Sequence, residues 1–130
     1  MKEPTWLTTG IILSIQEALL ARFGGLAGVR DAGLLESALA RPQQLFAYGK
    51  PTMAELAASY ALGIVKNHPF LDGKKRAAFM AAYTFLGANG FELNATEEEA
   101  VSFTLGLAAS DVTESEYADW LRKSSLLAGK

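Results

Sequence analysis

The run His68-Pro69-Phe70-Leu71-Asp72-Gly73-Lys74-Lys75-Arg76 puts an imidazole, a carboxylate, a glycine and three cations within nine residues. His68 is the one histidine of the chain. An imidazole accepts a proton from an attacking hydroxyl near neutral pH. Asp72 is a hard oxygen ligand suited to Mg²⁺, which takes one or two carboxylates together with substrate phosphates. Gly73 lets a ligand approach the backbone closely, and free N–H groups at a helix start attract phosphate. Arg76 has the planar fork that grips phosphate oxygens in pairs, and Lys75 supplies a point charge. Cations in a first helical turn oppose the helix dipole, at a cost of about 0.3–1 kcal/mol each. Lys74, Lys75 and Arg76 all stand there, and a bound anion removes the conflict. The chemistry these parts describe is phosphoryl-type transfer to an alcohol.

Taken singly, each residue has a plainer reading. A histidine beside a proline is more often structural. Asp72 serves equally well as a helix N-cap. A Lys-Lys-Arg run is more often a solvated patch, and Phe70 is most simply a core anchor that holds the loop down. The functional reading rests on their co-occurrence between two segments that both read as buried helix.

Those flanking segments are Met53 to Asn67, Ala-rich and apolar on most faces, and Ala77 to Leu86, apolar all round and closed by Asn89-Gly90. Upstream, Ile11, Ile12, Ile15, Leu19 and Phe23 recur at steps of three and four, an amphipathic helix capped by Thr8 or Thr9 and ended by Gly24-Gly25. Asp31 caps a short helix carrying Leu34, Leu35, Ala38 and Leu39, which Pro42 is expected to terminate. Gln43 to Thr52, with Gly49 and Pro51, reads as irregular and exposed. Downstream, Thr96 with Glu99 and Thr113 with Glu116 form capping boxes, and the second opens a helix ending at Arg122-Lys123. Phe91-Glu92-Leu93 reads as a short extended piece. The fold class expected is all-α with about six helices.

At 130 residues the chain is read as one domain, 1–130, with a hydrophobic core. Half the residues are hydrophobic and a fifth charged, as in a soluble globular protein. A net charge of −2 gives no global field that would point to nucleic acid or an anionic membrane. The absence of cysteine excludes disulfides and thiolate chemistry. No signal-peptide pattern or apolar run of membrane-spanning length is present, so the expected location is the cytoplasm.

The motif run resembles the Fic/Doc signature His-x-Phe-x-Asp/Glu-Gly/Ala-Asn-Gly/Lys-Arg. Arg22-Phe23-Gly24-Gly25-Leu26-Ala27-Gly28 is similar to a segment of the death-on-curing (Doc) toxins. So is Ala82-Tyr83-Thr84-Phe85-Leu86 with Asn89-Gly90. The likeness covers about residues 8–123. It implies a compact helical Fic/Doc fold with the motif loop between two buried helices. It also implies a kinase-like toxin that moves the γ-phosphate of ATP to a threonine of elongation factor Tu, stops translation and is neutralised by a Phd-like antitoxin. AMP-transferring relatives carry Gly at position 75 and a second Arg at 79; here Lys75 and Phe79 side with Doc.

Carried over by resemblance, His68 is the general base and Asp72 the Mg²⁺ ligand, with His68, Asp72 and Arg76 forming the catalytic set. Phe70, Gly73, Lys74, Lys75 and Arg76 make the nucleotide site. Ala47 to Thr52 lies where the family's target-aligning flap is expected. Lys74 departs from the family's Asn. It fits a tolerated phosphate ligand, a member with altered donor choice, or an inactivated protein that acts only by binding, and impaired activity is favoured. AMP transfer is the third and weakest reading. No autoinhibitory Ser/Thr-x-x-x-Glu-Gly/Asn motif is seen, which favours control by a separate antitoxin.

Overall fold

The computed structural model describes residues 3–25, 28–67 and 74–127 of the chain. Helix α1 is Thr9–Phe23, and Thr8 caps it by accepting from the Ile11 amide. Ile12 and Gln16 are its buried residues, while Ile11 and Phe23 stay half-exposed. Ile15 and Leu19 pack partly buried against the core, so most of the expected apolar stripe faces inward, and a glutamine joins it. Gly24 and Gly25 both have positive φ, 77° and 120°. Consecutive positive values suit glycine, which lacks the Cβ that would clash there.

Helix α2 spans Ala32–Tyr48, capped by Asp31, whose carboxylate accepts from the Leu34 amide. It does not stop at Pro42. The proline lies inside the helix, fully buried, and the helix runs on for six residues. Proline removes one backbone bond and crowds the preceding turn. The turns beyond it carry Phe46, packed edge-on against Trp6 at 5.6 Å between ring centroids. Tertiary packing thus overrides the local break, and the stretch expected to be irregular shrinks to Gly49–Thr52.

Helix α3, Met53–Asn67, matches its expected span and is buried along most of its length. Leu56, Ile64 and Val65 are almost wholly enclosed, and each such side chain contributes about 1.5–3 kcal/mol. A reciprocal cap not anticipated from the sequence opens it: the Glu55 amide donates to the Thr52 hydroxyl, and the Thr52 amide donates to the Glu55 carboxylate. Helix α3 packs against α2 and against three later helices, α4 (Lys74–Ala88), α5 (Glu97–Ala108) and α6 (Glu114–Ser124). It is the axis of the molecule.

Helix α4 buries Ala77, Ala78, Ala81, Ala82, Phe85 and Leu86. Tyr83 remains 44% exposed, so the helix is not enclosed on every side as its composition implied. Asn89 ends this region and ties it to the chain start. It exchanges bonds with the Thr5 amide and carbonyl, and also donates to Phe85 O.

The extended piece β1, Phe91–Leu93, pairs antiparallel with β2, Ser125–Leu127, a strand the sequence did not suggest. Thr113 and Glu116 form the expected capping box on α6. On α5, Thr96 accepts from the Glu99 amide, but the Glu99 carboxylate turns to the Thr96 hydroxyl and Trp120 Nε1 instead of completing a box. Among the described residues, the buried hydrophobic side chains form one cluster drawn from helices α1 to α6. No helix among the described residues is long and apolar enough to cross a membrane.

Candidate active site

His68, Phe70, Asp72 and Gly73 lie outside the described residues, but both ends of their loop are placed. Asn67 is the last residue of α3 and Lys74 the first of α4. These two helices pack against each other, and both carry buried alanines, Ala57, Ala58 and Ala61 on α3 and Ala77, Ala78, Ala81 and Ala82 on α4.

At the α3 end, Asn67 is locked. Its Nδ2 donates to Leu34 O at 3.0 Å, and Arg30 Nη2 donates to Asn67 O at 3.1 Å. Residues 28–31 and the first turn of α2 therefore hold the backbone immediately before His68. Neither Arg30 nor Asn67 stood out as a candidate, because their pairing joins positions 37 residues apart.

At the α4 end, the first turn contains no acidic residue, and both Lys75 and Arg76 are exposed. The opposition between cations and helix dipole is thus real in the folded chain. The Arg76 guanidinium lies over the ring of Phe23, 4.2 Å from its centroid, and Arg22 approaches the same ring at 5.3 Å. Contacts of this kind at exposed sites contribute about 0.5–1 kcal/mol, comparable with the dipole cost. The end of α1 and the start of α4 therefore meet at one ring.

The residues expected as a flap, Ala47 to Thr52, lie at the opposite end of α3. A 15-residue helix is about 22 Å long, which separates that segment from Asn67 along α3. Among the described residues the stretch next to Asn67 is 28–31, where Val29 forms an isolated β-bridge. A cleft of about 450 Å³ also lies at the far end, lined by Arg41, Gln44, Glu55 and Glu114 among others. Its most prominent cation is already matched: Arg41 forms a two-pronged ion pair with Glu114 and donates to Ser59. The Glu114 hydrogen bond raises the Arg41 pKa.

Among the described residues there is no group of three His, Asp or Glu side chains able to hold a metal. A cationic helix start next to the single carboxylate Asp72 suits a cation shared with phosphate oxygens.

Comparison with known proteins shows the family. The Fic/DOC family model matches residues 6–86, which include the motif run and the Phe23 turn. The chain belongs to the Fic/Doc family, in its death-on-curing branch. It is 34% identical over 113 residues to "Protein kinase doc" of Escherichia phage P1, covering 86% of this chain and 89% of that protein. It is 46% identical over 76 residues to "Toxin Doc" of Mycolicibacterium smegmatis, covering 56% of this chain and 58% of the relative.

Proposed function

We propose that this Doc-family protein is a toxin that transfers a phosphoryl group from ATP to a hydroxyl of elongation factor Tu, halts translation and is neutralised by a Phd-like antitoxin. The observation that carries the reading is the near-full-length likeness to a phage protein named as a kinase. Lys75 and Phe79, the residues that set this chain apart from AMP-transferring relatives, support it, as does the cationic start of α4.

In this reading His68 takes the proton of the attacking hydroxyl. The hydroxyl oxygen forms a bond to the γ-phosphorus as the bond to the bridging oxygen breaks, and ADP leaves. Mg²⁺ held by Asp72 supplies neutralisation of phosphate charge. Lys74, Lys75, Arg76 and the amide of Gly73 hold phosphate oxygens, and Phe70 anchors the loop. Asn67, the residue before His68 in the sequence, is held by Leu34 and Arg30.

The test is incubation with elongation factor Tu, ATP and Mg²⁺, followed by intact-mass measurement of the target. A gain of one phosphoryl group is expected, with the rate falling by about 10²–10⁴-fold in His68→Ala. A gain of one adenylyl group, or a His68→Ala variant as active as the parent, overturns the reading.

A further inference from the structure

We propose that Phe23, at the end of α1, is a positioning residue that holds Arg76 ready for nucleotide phosphate. This rests on the preceding reading that Arg76 grips phosphate. Among the described residues, Arg76 meets the face of Phe23 at 4.2 Å and no carboxylate. The difference matters chemically. A carboxylate partner would occupy the in-plane N–H donors of the guanidinium and compete with phosphate for its charge. A ring face occupies only the flat side of the cation, leaving the in-plane donors available to an oxyanion. Phe23 is also 46% exposed, so its ring is accessible at the surface where Arg76 lies. Its backbone position is fixed by the glycine turn that follows, where Gly24 donates to Leu20 O at 2.7 Å. Stacking thus narrows the rotamers of a long side chain before the ligand arrives, which lowers the ordering cost of binding.

The experiment is titration of Mg²⁺-ATP by calorimetry into the parent, Phe23→Leu, Phe23→Tyr, Arg76→Ala and the double variant Phe23→Leu/Arg76→Ala. Each variant is first checked for unchanged helicity and melting temperature. Phe23→Leu is expected to weaken ATP binding about two- to fivefold. Phe23→Tyr should bind as the parent does, and Phe23→Leu should add nothing once Arg76 is gone. With elongation factor Tu as acceptor, KM for ATP should rise more than kcat falls. Weakening by Arg76→Ala but not by Phe23→Leu overturns this inference alone. So does an equal loss from Phe23→Leu in both backgrounds, which marks a structural effect. If Arg76→Ala leaves affinity unchanged, the phosphate grip itself fails, and the role of Phe23 with it.

Discussion

At position 74 the chain has lysine as the first residue of α4, where the family signature has asparagine. An asparagine amide is short and neutral, and it can brace the loop while donating to phosphate. Lysine adds a third cation to a first turn that already carries Lys75 and Arg76 with no acidic residue. Its length and freedom also allow it to draw phosphate oxygens away from the line of transfer. A misplacement of about 1 Å costs up to roughly 10²-fold in rate. Lys74→Asn is therefore expected to raise the rate of phosphoryl transfer to elongation factor Tu by about ten- to a hundredfold. Initial rates by intact mass at saturating ATP would check this, and an unchanged or lower rate would show that Lys74 does not impair transfer.

At the scale of elements, α2 and α3 approach closely at Gly63. A Cβ added at Gly63 would sit 3.1 Å from Ala38 Cα and 3.3 Å from its carbonyl oxygen. Backbone cannot swing aside as a side-chain tip can, so the helices would have to separate. Gly63→Ala is expected to destabilise the fold by about 1–3 kcal/mol, despite the better helix propensity of alanine. Urea denaturation would show a lower midpoint at unchanged slope, and a midpoint equal to or above the parent's would mean that the helices yield freely. This contact was not legible in the sequence, since Gly63 read only as one more small residue in an apolar helix. What was legible had a local physical cause, such as the caps at Thr8, Asp31 and Thr113 and the full span of α3. Helix α2 beyond Pro42 depends on Phe46 meeting Trp6, and β2 depends on a partner some thirty residues earlier. The Thr52–Glu55 cap had a readable pattern, but Gly49 and Pro51 beside it suggested a loop. At the site the motif carries an expectation of chemistry on residues outside the described ones, whereas the placement of Arg30 and Phe23 required the folded chain.

At the scale of the whole molecule, two buried phenols join segments distant in sequence. Tyr60 on α3 accepts a hydrogen bond from the Leu7 amide, holding the N-terminal stretch. Tyr117 on α6 shares one with Thr104 on α5. Burial raises both pKa values from 10.0 to about 12, because the phenolate would lose its hydration; the hydrogen bonds oppose this only in part. The native state therefore holds these protons more tightly than the unfolded chain. A raised native pKa contributes stability that is fully present below the unfolded value and is lost as pH rises through the native one. The stabilising window accordingly ends between pH 10 and 12. Urea denaturation at successive pH values should show this contribution constant up to pH 10 and declining from there to about 12. Tyr117→Phe has no proton to lose at that position, so its stability should fall less steeply over the same interval, even though it starts lower for want of the bond to Thr104. Equal slopes in parent and variant would show that Tyr117 stays protonated until the fold has already opened for another reason. The coupling of α5 to α6 would then have to be carried by packing around Trp120 and Phe103, whose rings stack at 4.6 Å.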